Sequence, residues 1–425
     1  MSGNASQTQR PRGALEGLRV VELTSEAAAL AGKLLADMGA EVIVVEPPSG
    51  SILRSRPPFA EDIEDRERSL TWWHYNTSKL GVTLDLDTEA DRERFRNLIR
   101  VADIVLESEP PGRMADLGLD YANLRELKSD LVMVSVTPFG RGGPRRDEVA
   151  TDLTVLAAGG PVWSSGYDDH SLPPIRGWGN QGYNIASLYA VMGTLIAILV
   201  RDERGVGQHV DVNMHAAANV TTEQATYTWL VARQTVQRQT GRHAETNPTM
   251  PTQVQCSDGF WVNTGVPPRV RSEFIAVHDW LRELGLLGEF SDRILLELGM
   301  DRERLDLSKL GEDVEIQAIF GAGREAMTLI ASRLPSYEYF MGAHKRGMPV
   351  AIIYSPEEVF EDPHFKARGF PTPVEHPELG KSIPYPGAPI RFEGSPWRIR
   401  GRAPQLGEHN ELVFESLAAT SALRT

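Results

Sequence analysis

Residues Gly177–Asp211 read GWGNQGYNIASLYAVMGTLIAILVRDERGVGQHVD. A loop of small residues leads into a long apolar run, then a Gly-rich turn, then the start of a strand. The apolar run, Ile185–Val200, is short for a membrane span and reads as a helix buried in a soluble core. The stretch is also notable for what it lacks. No Asp or Glu occurs between Asp169 and Asp202, so the head of the helix carries no carboxylate.

Outward from this stretch, strand and helix patterns alternate. Leu18–Leu23 is a β-rich run, Ala27–Met38 a helix, and Gly39–Glu46 a second buried strand. Gly81–Leu86, the charged helix Asp87–Val101, and the strand runs Asp103–Leu106 and Leu131–Thr137 follow. Such alternation predicts a parallel sheet with helices on both faces. No G-x-G-x-x-G follows the first strand, which argues against a dinucleotide site there. Beyond Ala216 the pattern changes to a polar helical stretch, a proline-containing loop and a hairpin, Thr252–Thr264, around Gly259. The expected organisation is a disordered tail at 1–18, a large α/β domain at 19–215 and a linker helix at 216–240. A small domain at 241–335 and a return segment at 336–425 complete it.

Composition narrows the function. The 425 residues are 41% hydrophobic and 24% charged, a soluble globular balance. A formal net charge of −14 argues against a general nucleic-acid binder. The single cysteine, Cys256, precludes an internal disulfide and fits a cytoplasmic protein. It reads as a strand residue rather than a nucleophile. The ten histidines show no H-E-x-x-H or other compact metal spacing. There is no G-x-S-x-G elbow either.

Seven separated segments, in order, resemble the family III CoA-transferases (the CaiB/BaiF group). They are LEGLRVVEL, LLADMGAEVIVVEPPSG, NTSKLGVTLDLDTEADRERF, ADIVLESEPPGRMADLGLDY, GVGQHVDVNM, RGMPVAIIYSPEEVFEDPHFKARGF and RAPQLGEHNE. The resemblance covers nearly the whole chain. It implies a large Rossmann-like α/β domain with a parallel sheet, a smaller α+β domain and an interlocked dimer. It also implies an activity: an aspartate attacks an acyl-CoA, an acyl-aspartyl anhydride forms, and the acceptor acid then takes the CoA. The CoA thioester is thus a substrate, with no permanently bound cofactor, and neither nucleic acid nor membrane is a partner.

Carried over residue by residue, the resemblance makes Arg54 and Lys79 candidates for the CoA phosphates, because cations answer a polyanion. Asn76 and Ser108 join them on the CoA-binding side, and Asp152 falls where relatives carry an acid near the reaction. As ordinary residues, Arg54 and Lys79 would be solvated surface charges and Asp152 the cap of the following helix. Other positions depart from the family pattern. Tyr183 holds the place of the nucleophilic aspartate, Glu109 adds charge beside the adenine side, and Asp116 stands where an arginine is common. The family's mobile glycine loop is replaced by the proline-containing Glu245–Pro251. Asp168 and Asp169 are the nearest carboxylates before the helix. Trp72, Trp73, Trp163 and Trp178 lean toward a bulky or apolar acyl group.

The leading expectation is a CoA-transferase subunit without its own nucleophile, paired with an Asp-bearing homologous subunit. It would act between an acyl-CoA such as succinyl-CoA and a carboxylic acid. A homodimeric acyl-CoA racemase or lyase using Tyr183, and a non-enzymatic acyl-CoA-binding protein, are the alternatives.

Overall fold

The computed structural model describes residues 12–422. Contacts divide the chain into two compact units. The first contains the residues up to Val162, Ile175–Tyr227 and Pro363 onward; the second contains Trp163–Pro174 and Thr228–Asp362.

The first unit is built on six parallel strands: β1 (Arg19–Leu23), β2 (Glu41–Glu46), β3 (Leu80–Thr83), β4 (Ile104–Glu107), β5 (Val132–Thr137) and β6 (His209–Asn213). Their order is β3-β2-β1-β4-β5-β6. The helices are α1 (Ala29–Asp37), α2 (Leu70–Tyr75), α3 (Glu89–Ile99), α4 (Arg113–Asp116), α5 (Tyr121–Leu127), α6 (Asp152–Gly159), α7 (Gln181–Arg204) and α8 (Met214–Val220). The near-continuous apolar strands are explained by burial on both faces. Val20, Ile104, Val132 and Val134 pack in one cluster with Leu35 of α1 and Ala190 and Ala197 of α7. Their alternates Val21, Val105 and Met133 pack in another with Phe95, Leu98 and Leu124. The period of two along a strand thus sorts the side chains between two layers.

The strand order reverses direction between β1 and β4, since β2 and β3 continue on one side and β5 and β6 on the other. A crevice forms at the carboxyl ends of the strands wherever connections diverge in this way, and open α/β sheets take their ligands there.

Helix α7 differs from its expected form. It runs over 24 residues and is long and apolar enough, by length and composition alone, to cross a membrane. Yet Ala186, Ala190, Val191, Ala197 and Ile198 are buried against the sheet. The opposite face is bare: Leu188, Met192, Ile196 and Leu199 are all exposed, Leu199 at 69%. The helix is therefore only half buried within its own chain. Gly205, at φ +70°, ends it in the left-handed conformation. Two residues on, Gly207 passes the Leu131 carbonyl so closely that a Cβ would lie 1.9 Å from the oxygen. The Gly-rich turn is thus required by both conformation and space.

The expected tail needs revision. Residues 1–11 lie outside the described residues, but 12–18 are anchored. Leu15 and Leu18 pack on the sheet core, and the Leu15 N–H donates to the Met38 carbonyl at 3.0 Å. The expected linker helix is also broken up. Helix α8 ends at Val220, and Gln237–Gln239 pairs with Arg242–Glu245 as a short hairpin.

The second unit is α+β. Strands Gln253–Gln255 and Trp261–Asn263 form the expected hairpin, joined by Ala351–Ile352. Helices Arg271–Glu283, Arg293–Met300, Val314–Arg333 and Ser336–Lys345 enclose a core of Phe274, Trp280, Ile319, Met327 and Tyr339. The unit runs to Asp362, beyond the expected boundary at 335.

Candidate functional site

The loops after β1 to β4 enclose a cleft of about 280 Å³ at the reversal point. Its walls are Leu23–Ser25, Val44–Pro47 with Gly50–Ile52, Leu84–Asp87, and Glu109 with Arg113, Met114 and Leu117. Ser108 sits beside it, its hydroxyl accepting the Ser25 N–H at 2.8 Å and tying the β1 and β4 loops together.

The two cations expected to bind phosphates point elsewhere. Arg54 is 1% exposed and holds Glu46 through two bonds of 2.6 and 2.8 Å. It also reaches Glu67 at 2.7 Å and the Pro404 carbonyl at 3.0 Å, and it stacks 3.9 Å over Trp72. Lys79 is fully enclosed against Glu22, at 2.8 Å. Burial pulls its pKa down while Glu22 pushes it back. Gly32 provides the room for that pair, because a Cβ there would lie 1.9 Å from the Glu22 carboxylate. Asn76 is buried as well, bridging the Trp72 carbonyl and Lys79 Nζ, each at 3.0 Å. These three residues brace the site from behind, and no face of them is left for a phosphate. Nor are they the solvated surface charges that an isolated Lys or Arg suggests.

A second polar group gathers at the head of α7. Asp152 accepts the Tyr183 backbone N–H at 3.0 Å and pairs with Arg176 at 3.3 Å. The cap of α6 is Thr151, in a capping box with Thr154. Asp152 instead satisfies an orphan N–H of α7. Sequence reasoning missed the other carboxylate here, Glu26, from the β1–α1 loop. It accepts from Asn180 Nδ2 at 2.7 Å and pairs with Arg56 at 3.5 Å. Asn180 also reaches Tyr75 Oη at 3.3 Å, and Tyr75 donates to Asn184 at 3.4 Å. Glu26 escaped notice because it lies far from α7 in sequence, and only the fold of the β1 loop brings it there.

Tyr183 is half-buried at this head. Burial, then the charges of Asp152 and Glu26, raise its phenol pKa above the usual value. At neutral pH it is a hydrogen-bond donor, not a nucleophile. Asp168 and Asp169 belong to the second unit. Asp168 is held by Arg242 at 2.8 Å, and Asp169 accepts from Ser171. Cys256 is buried and its thiol is pushed up to about 11, mainly by burial, which removes it as a nucleophile. Trp72 and Trp73 are core residues, Trp163 belongs to the second unit, and Trp178 is 97% exposed.

The model of CoA-transferase family III matches residues 15–279 and 297–410. The chain is 32% identical to the succinyl-CoA:(R)-benzylsuccinate CoA-transferase subunit BbsE of Thauera aromatica, over 93% of this chain and 92% of that one. It is 30% identical to a succinyl-CoA:mesaconate CoA-transferase of Haloarcula hispanica, over 97% and 98%. A crystal structure of a CaiB/BaiF family protein from Brucella suis superposes with a TM-score of 0.76 at 25% identity, covering 96% of this chain and all of that one. The parallel sheet, α7 and the Gly205–Gln208 turn fall within matched segments, and the chain belongs to CoA-transferase family III.

Proposed function

We propose that this chain is a subunit of a CoA-transferase that moves CoA between an acyl-CoA, such as succinyl-CoA, and a carboxylic acid. An Asp-bearing homologous chain, interlocked with it, supplies the nucleophile. The observation that carries this reading is the state of the carboxylates at the head of α7. The resemblance aligns Tyr183 with the attacking aspartate, and the acids around it are engaged: Asp152 is committed to the Tyr183 N–H and Arg176, and Glu26 to Asn180 and Arg56. The bare stripe Leu188–Met192–Ile196–Leu199 supports a partner chain, since a contiguous apolar face on a soluble protein marks an interface. A relative being named a subunit points the same way.

The test is transfer activity of the purified chain, alone and co-expressed with an Asp-bearing homologue, with native mass spectrometry of both samples. Alone, the chain should give no transfer; together, they should form a mixed dimer that turns over. A homodimer of this chain with full transferase activity would overturn the proposal. The raised phenol pKa favours a second reading, in which Tyr183 donates a hydrogen bond to a thioester oxygen. Tyr183→Phe abolishing turnover in the assembly would select it.

A further inference from the structure

The cleft at the strand ends is poorly suited to a polyanion. Three carboxylates, Asp85, Asp87 and Glu109, line it, and the lining cation is Arg113. Arg113 is already occupied, with its guanidinium 2.6 Å from Asp87. The fourth lining acid, Glu46, is neutralised from behind by Arg54. Glu109 is half-buried in the lining, so its charge meets a ligand in partly desolvated surroundings where repulsion is less screened.

Four backbone donors of the rim are committed too. Phosphate sites at strand ends normally rely on free N–H groups of a glycine-rich turn or a helix start. Here the Ser25 N–H goes to Ser108 Oγ at 2.8 Å, the Ser51 N–H to Glu46 at 2.9 Å, and the Glu109 N–H to Glu107 at 2.6 Å. The Arg113 N–H goes to the Pro110 carbonyl at 3.0 Å. The charge of the lining and the use of the backbone are independent observations, and both oppose phosphate.

We infer that the cleft of this chain excludes the phosphorylated half of CoA, with Asp87 and Glu109 as the residues that set the exclusion. The assembly's CoA is then held by the partner chain's own cleft. This rests on the proposed subunit role but is tested by binding, without catalysis. Asp87 acts twice: it contributes a negative charge and it occupies Arg113. Removing its charge both weakens the repulsion and frees a guanidinium that matches phosphate geometry.

The experiment is calorimetric titration of the purified full-length chain at low ionic strength with CoA, dephospho-CoA and pantetheine. Wild type should bind CoA with a Kd above about 1 mM. The double variant Asp87→Asn/Glu109→Gln should gain about tenfold or more for CoA, less for dephospho-CoA and nothing for pantetheine. The gain should shrink as salt is raised. Thermal melts check that the variant is folded, and Glu109→Gln alone, with a smaller gain of the same kind, serves if it is not. Wild-type binding of CoA below about 100 µM at one site per chain overturns the inference. So does a folded variant that gains nothing. Transfer by the isolated chain would instead overturn the subunit role.

Discussion

The first unit carries two sets of charges that are opposite in kind. The inner set, Glu22 with Lys79, Glu46 with Arg54 and Lys33 with Asp37, is buried and paired at 2.6 to 2.8 Å. The outer set, Asp85, Asp87 and Glu109 around Arg113, faces the cleft and carries excess negative charge. Two of the inner cations, Arg54 and Lys79, are the ones whose sequence context suggested ligand binding. Their carboxylate partners, drawn from the β1 and β2 strands, turn them into internal struts. The charge that a ligand would meet belongs to the rim.

The largest effect should come from breaking an inner pair. Lys79→Met leaves Glu22 buried without its cation and should cost about 3–5 kcal/mol in denaturant unfolding. Glu22→Met/Lys79→Met together should cost much less, because the desolvation penalty is removed with the attraction. Equal losses in the single and double variants would show that the pair is not the strut described here.

Next comes His74 on α2, which links the inner set to pH. Burial, then the charge of Lys33, lowers its pKa from 6.5 to about 4. A depressed folded pKa favours the neutral form. Its contribution to stability is therefore fully present above the unfolded value of 6.5 and is lost as pH falls through about 4. His74→Asn should flatten the stability profile in that window, measured by melting temperature against pH. An unchanged acid limb would discount burial of the imidazole.

For the rim the sign is reversed and the effect smaller. The Glu109 pKa is raised by burial, so its contribution is present at low pH and is lost as pH rises through the raised value. Glu109→Gln should melt higher than wild type at neutral pH and converge with it in acid. Convergence at neutral pH instead would mean that the Glu109 carboxylate is well solvated. The smallest expected effect is none at all. Tyr183→Asp alone should not give the isolated chain transfer activity, because restoring the carboxylate leaves the acidic cleft that excludes CoA unchanged. Turnover by that single variant would show that the nucleophile was the only missing part.

Much of the fold was legible because the strand runs are short, apolar and separated by helical periods. β1, β2, β4 and β5 fall within a few residues of their expected places. The half-exposed α7 was not legible, because apolar residues all round a helix give no sign of which face its own chain will cover. Tyr183 was read as a departure only through the resemblance, by its spacing of six residues from Tyr189 in the helix. Glu26 was not, because its neighbours Asn180 and Arg56 come from separate loops.

Sequence by itself determined the alternating α/β plan, the lack of an acid between Asp169 and Asp202 and the family to which the chain is similar. Each follows from short-range pattern, in which period and spacing are preserved along the chain. Tertiary structure decided which charges are free. Whether Arg54 and Lys79 meet a ligand or a carboxylate depends on strands brought alongside from elsewhere in the chain. A buried charge takes the nearest partner that offsets its desolvation.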